Sequence, residues 1–317
     1  MVFQMRDVKS WAQKVKEAVK KVIIGKDDVI EKAIIALLAG GHILLEDIPG
    51  VGKTTFAKAL AKSLGCTFKR IQCTPDLLPS DIIGTNVYLF HDGRFVFRPG
   101  PIFANIVLAD EINRASPKTQ SSLLECMDEH QVTVDGVTYQ LPQPFFIIAT
   151  QNPIEPEGIF VLPESQVDRF CMRLRLGYPN PDEEKQVLIE QRLTHPLEAL
   201  HPVTDAHEVL EVQREVREVF VSDLIYGYVL RIIHQTRKDE RLLLGASPRG
   251  SLFLTRTAQA RAAIYGRDYV APDDIKALAI DVLAHRLIVK PIYQAEGLVA
   301  EQIVAEMLDL IPVPDTL

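Results

Sequence analysis

The chain has 317 residues, 47% of them hydrophobic and 24% charged, with a formal net charge of −7. That length holds one large or two ordinary domains, and the composition is that of a soluble globular protein with no apolar run near the ~20 residues that span a bilayer. The acidic balance argues against a nucleic-acid partner, although a local basic channel would be compatible with it, and the lysine-rich start over 1–26 has no apolar signal core, which argues for a cytoplasmic protein.

Residues 11–22 alternate apolar and Lys/Glu side chains at helical spacing, predicting an amphipathic helix; 28–39 predict a second, ending at Gly40-Gly41. The apolar run 43–45 predicts a short buried strand, and 56–60 the start of a helix. Between them lies a turn with Pro49, Gly50, Val51, Gly52, Lys53, Thr54 and Thr55. Strand, phosphate loop and helix follow in the order that nucleotide binding requires. Glycines let backbone N–H groups close around phosphates, and the helix N-terminus adds its positive end. Lys53 would reach the β- and γ-phosphates, and the Thr54 hydroxyl would ligate Mg²⁺. Asp47 stands where the usual pattern has a glycine; Asp tolerates left-handed turns better than most residues.

Residues 67–73 predict the next strand. The alternation over 84–103, around His91-Asp92-Gly93, predicts a β-hairpin, with an aromatic core segment as the competing reading. A buried strand over 105–110 ends in Asp110-Glu111. Acids at the end of a parallel strand sit where open α/β sheets bind ligands: Asp110 can hold Mg²⁺ through water and Glu111 can polarise the attacking water, unless the pair simply caps the following helix. Residues 116–130 predict a helix, and 131–141 a hairpin turning at Asp135-Gly136. The strand 145–149 leads to Asn152, which could hold the water or form an Asx-turn before Pro153. A short helix over 162–169 and an edge strand over 172–176 complete this part.

Pro179 and Pro181 mark a boundary. Beyond it the patterns are helical only: 182–192, 206–220, 222–237, 247–266, 272–286 and 296–310. Ser247-Pro248-Arg249 supplies an N-cap and a first-turn proline. Arg249 there opposes the helix dipole, a penalty that a bound anion would remove, or it is simply solvated. The four cysteines, Cys66, Cys73, Cys126 and Cys171, show no CxxC pairing and read as reduced core thiols, a metal site being the alternative.

Together these residues resemble the AAA+ ATPases, and most closely the MoxR family. The likeness is carried by residues 44–55, by VLADEINR at 107–114, IATQNP at 148–153, LPESQVDRF at 162–170 and GASPR at 245–249. The resemblance implies an α/β fold: a parallel-sheet nucleotide-binding domain over 1–179 with two hairpin insertions, then an all-helical lid over 180–317. It implies ATP and Mg²⁺, with the phosphates at residues 49–55, the adenine at Ile24 and Gly25, and the metal at Thr54 and Asp110. Glu111 becomes the catalytic glutamate that polarises water, Asn152 sensor 1, Arg169 an arginine finger and Arg249 sensor 2, which also binds the nucleotide. A surface Asp168–Arg169 pair is the plain alternative for the finger.

The function implied is a Mg²⁺-dependent ATPase acting as a ring, as a hexamer, that remodels or matures partner proteins. Such partners in the family include von Willebrand A-type proteins and metalloenzymes awaiting a cofactor. A nucleotide-gated scaffold that barely turns over is a second reading, against which Glu111 speaks. A DNA-directed motor is a third, for which no DNA-binding module is visible; a magnesium-chelatase-like subunit is a close fourth.

Overall fold

A computed structural model describes residues 5–91, 93–153, 160–192 and 194–314. Its first region is built on five parallel strands in the order β2-β5-β8-β1-β9. These are β1 (Ile43–Glu46), β2 (Phe68–Gln72), β5 (Ile106–Asp110), β8 (Phe146–Gln151) and β9 (Met172–Leu174). The inner strands are runs of Ile, Val, Leu, Ala and Phe rather than alternating patterns, as a sheet covered on both faces requires, and every residue of β5 is buried. Residues 172–176 were expected at a sheet edge, and β9 is that edge.

The covering helices of this region are α1 (Met5–Lys20), α2 (Asp27–Leu38), α3 (Lys53–Ser63), α4 (Pro79–Ile83), α5 (Pro117–Glu129) and α6 (Glu164–Val167). Both hairpins form. The first pairs β3 (Gly84–Leu89) with β4 (Arg94–Pro99), though Asp92 at its turn lies outside the described residues. The second pairs β6 (Gln131–Val134) with β7 (Val137–Gln140), and Asp135 (φ 50°) and Gly136 (φ 80°) both take the positive φ that a tight two-residue turn demands.

Beyond 180 come α7 (Pro181–Glu190), α8 (Pro196–Ala199), α9 (Ala206–Arg217), α10 (Asp223–Lys238), α11 (Pro248–Ile264), α12 (Pro272–Leu283), α13 (Pro291–Ala295) and α14 (Ala300–Leu310). Side chains cap several as their sequences predict: Ser222 accepts from the Ile225 N–H and Ser247 from the Arg249 N–H. The expectation of helices alone needs one correction. Strand β10 (Leu242–Leu244) pairs antiparallel with β11 (Ile288–Val289). Three leucines and an Ile-Val pair are too short to show a period, so only their pairing reveals them. The helix expected over 296–310 starts at Ala300, because Gly297 takes φ 86° and Val299 is extended.

The helical region also receives the chain's beginning. Helices α1 and α2 pack against α9 and α11, and one apolar core runs from Val8 and Trp11 through Leu45 and Phe56 to Val212, Leu254 and Ile303. The Trp11 indole N–H donates to the Thr204 hydroxyl at 2.8 Å, and the Gln213 amide donates to the Leu37 carbonyl at 2.6 Å.

Candidate nucleotide site

The C-terminal ends of β1, β5 and β8 open on one side of the sheet, because parallel strands share a direction. After β1 the chain turns through Gly50 (φ 87°) and Gly52 (φ 91°), and Gly52 is the residue before α3. A Cβ built on either glycine meets nothing within 4 Å, so the loop faces open space. The α3 N–H groups point into that space, and Lys53 and Thr54 occupy its first turn. The Lys53 ammonium curls onto the carbonyls of Asp47 (2.6 Å) and Ile48 (3.2 Å).

Asp47 does not use a left-handed conformation, so its place in the loop has another cause. Its buried carboxylate accepts from the Leu176 N–H at 2.5 Å and the Gly177 N–H at 3.1 Å. It straps the phosphate loop to the chain leaving β9. The next residues close the same corner: the Tyr178 carbonyl accepts from Lys26 at 2.9 Å, and the Glu183 carboxyl lies where a Cβ on Gly25 would stand. The turn holding Ile24 and Gly25 therefore meets the loop through residues 176–183.

Beside the loop stand the two acids. Thr150, one strand over, organises both: its hydroxyl donates to Asp110 Oδ1 at 2.6 Å and accepts from the Glu111 N–H at 2.8 Å. Glu111 adopts φ 58°, ψ 50°, a left-handed conformation that costs a non-glycine residue about 1 kcal/mol or more. Each acid is also held at an outer carboxylate oxygen. Arg70 on β2 grips Asp110 Oδ2 through Nη2 at 2.5 Å and Nε at 3.1 Å. Gln72 Nε2 and Arg114 Nη1 both donate to Glu111 Oε2 at 3.0 Å. Asn152 is buried just past β8, and its carbonyl accepts from the Asn113 amide at 3.4 Å.

Thr54, Asp110, Glu111 and Asn152 are thus gathered at the phosphate loop. Arg169 and Arg249 are not. Met172 opens β9 opposite Ile43, which opens β1, so Arg169 precedes the N-terminal ends of the strands. The Cys171 N–H donates to the His42 carbonyl at 2.7 Å, and His42 Nε2 meets the Met127 carbonyl at 3.1 Å. Next to Met127 is Asp128, whose Oδ2 takes Arg169 Nε at 3.3 Å and Arg249 Nη2 at 3.1 Å. Among the described residues neither arginine bonds to residues 47–55. Asp168 does not pair with Arg169; it binds the Ser247 hydroxyl at 2.9 Å and the buried Arg286 Nε at 3.0 Å. Arg249 therefore sits on the Asp128 side of the sheet, away from its own chain's loop.

His42 has a fixed neutral form: Nδ1 accepts the Ile147 N–H at 3.0 Å, leaving Nε2 to donate to Met127. Burial pushes its pKa down to about 4. The four cysteines are free, and burial raises each thiol to about 12. Among the described residues no cluster of His, Cys, Asp and Glu could hold a metal by itself, and no helix is long and apolar enough to cross a membrane.

The sequence reading missed Arg70, Gln72, Thr150 and Asp128. Arg70 and Gln72 flank a buried Ile71 on an otherwise accessible edge strand, a period-two pattern that puts both on one face. That signal was available. Asp128, by contrast, looks like any surface acid of an amphipathic helix.

Residues 42–172 match the model of the ATPase family associated with various cellular activities (AAA), and residues 234–307 match an AAA lid domain. The uncharacterised protein YeaC of Bacillus subtilis is 53% identical, over 94% of this chain and 93% of its own. Chaperone MoxR1 of Mycobacterium tuberculosis is 41% identical, over 93% of this chain and 80% of its own. A crystal structure of a candidate ATPase from Cytophaga hutchinsonii superposes with a TM-score of 0.92 at 39% identity, covering 98% of this chain and 97% of the other. With the phosphate loop, the acid pair and the lid arranged as they are, the chain belongs to the MoxR family of AAA+ ATPases.

Proposed function

We propose that the chain hydrolyses ATP with Mg²⁺ in a cytoplasmic ring of identical subunits, a hexamer, and uses the cycle to remodel or mature partner proteins. The observation that carries this reading is the pair of complementary half-sites at opposite ends of one sheet. A strand of four residues spans about 13 Å, and the phosphate loop lies beyond one end of β1 while Arg169 and Arg249 lie beyond the other. In a head-to-tail ring each arginine end meets the next subunit's phosphate end, and rotation closes the circle.

The residues fit a magnesium nucleotide. The glycines leave a vacant cradle, Lys53 rests on carbonyls that phosphate oxygens would outbid for it, and Asp110 already holds one cation, the Arg70 guanidinium. When bound, the magnesium nucleotide supplies the phosphoanhydride to be cleaved and a cation that neutralises its oxygens. Ile24 and Gly25 would border the adenine, Lys53 would meet the phosphates, and Thr54 and Asp110 would hold the metal. Glu111 takes the proton of the attacking water, which Asn152 orients. Arg169 and Arg249 of the neighbouring subunit face the charge that develops on the transferred group.

The hairpins are the partner-facing parts. Phe90 and Phe95 are 89% and 70% exposed, and Tyr88 touches both, which leaves an aromatic tip without a core to enter. Phe97, two residues further along the strand, stacks on Tyr139 of the second hairpin with ring centroids 4.0 Å apart, and so joins the two hairpins. Partners of the von Willebrand A type or metalloenzymes awaiting a cofactor are the classes to test.

The chemistry is tested with two substitutions. Lys53→Ala should abolish ATP binding, because it removes a contact to ground-state phosphates. Glu111→Gln should bind ATP and retain it, with turnover reduced by about 10²–10⁴-fold. Near-normal turnover in Glu111→Gln overturns the assignment.

A further inference from the structure

One guanidinium touches both acids of the site, one directly and one through an amide. Arg70 grips Asp110 Oδ2 with two nitrogens, at 2.5 Å and 3.1 Å, while Oδ1 is taken by Thr150. Its Nη2 also donates to Gln72 Oε1. The other end of that same amide donates to Glu111 Oε2 at 3.0 Å, an oxygen that Arg114 shares. Asp110 is thereby charge-compensated on its outer oxygen.

We propose that Arg70 is a latch on the metal side of this site: its guanidinium stands in for the divalent cation at Asp110 until that cation is loaded. The inference rests on the magnesium-nucleotide reading above. Two features make Arg70 a removable partner rather than a fixed one. It projects from β2, a strand at one edge of the sheet. Its side chain is 46% exposed, whereas that of Asp110 is 10% exposed, so the arginine reaches in from solvent to a carboxylate that stays put.

The test measures metal affinity rather than turnover. Mn²⁺ binding is followed by electron paramagnetic resonance, with ADP present, on the full chain, on Arg70→Met and on Arg70→Lys. Removing a charge-assisted two-point competitor should lower the Mn²⁺ concentration for half-saturation about three- to ten-fold in Arg70→Met. Arg70→Lys keeps the charge but loses the fork, and should fall between. Unchanged or weaker Mn²⁺ binding in both variants overturns the latch and makes Arg70 an orienting partner of Asp110. If Arg70→Met does not fold, the direction of the shift in Arg70→Lys decides alone. An unsubstituted protein that binds no Mn²⁺ with ADP overturns the nucleotide reading itself, an outcome distinct from the first.

Discussion

The two ends of the central sheet are built in opposite ways. At the phosphate end the acids are strand-terminal residues, fixed by Thr150 and by the backbone of β5 and β8. At the other end Arg169 comes from the turn 168–171 and Arg249 from the first turn of α11; both reach Asp128 Oδ2, and Arg249 also lies 3.7 Å from Asp168 Oδ2. Their side chains are 30% and 38% exposed, and that of Asp128 is 34% exposed. The phosphate end is preorganised within one chain. The arginine end holds its cations on a partly wet carboxylate, a pairing of small net strength that a stronger anion can displace. In the ring proposed above, a subunit carries two halves of a site that it cannot join by itself.

The comparison breaks first at Arg169. Arg169→Ala should lower turnover by about 10³–10⁵-fold, and mixing with Lys53→Ala subunits should restore activity, since each variant keeps the half that the other lacks. Turnover per subunit should also rise with protein concentration; a constant rate from a monomer would end the two-ended picture. Acid should attack the arginine end through its floor. His42 is buried with a pKa near 4, against about 6.5 when unfolded. Between those values the unfolded chain binds the extra proton, so stability is full above pH 6.5 and falls as pH drops toward 4, by about 3 kcal/mol. Urea denaturation across that window checks the slope, and His42→Gln should flatten it.

Asp47 tests the opposite end. Asp47→Ala strands the Leu176 and Gly177 N–H groups, which should cost about 1–3 kcal/mol in denaturation and weaken nucleotide binding measured by calorimetry. The smallest effect on the fold is expected at the hairpin. Phe95→Ser removes an exposed ring and should change stability by no more than about 0.5 kcal/mol, yet reduce capture of a partner protein. A large loss of stability there would make the aromatic tip structural.

Much of the phosphate end was legible because its parts are short, contiguous and tied to one backbone shape. Gly50, Gly52 and Lys53 report a loop, and Asp110-Glu111 after an apolar run reports a strand end. The hairpin at 131–141 was legible for the same reason, Asp135-Gly136 being a turn with one geometry. The arginine end was not readable as a geometry. Its partners come from positions 128, 168–169, 249 and 286, and no local period links them. Asp47 was read by its slot in a pattern, whereas its role comes from backbone groups 129 and 130 residues away. The β10–β11 ribbon escaped for want of length.

The packing of α1 against α11 bears on how the chain is made. Domains that fold during synthesis usually complete themselves from the N-terminus onward. Here Trp11 and its neighbours leave the ribosome long before residues 248–264, the helix that covers them. At 5–20 residues per second the wait is roughly 10–50 s. During that interval α2 and α3 can cover part of the apolar face of α1, and the part that α11 covers has no permanent seat. The nascent chain must shield that part in a temporary contact or leave it to a chaperone.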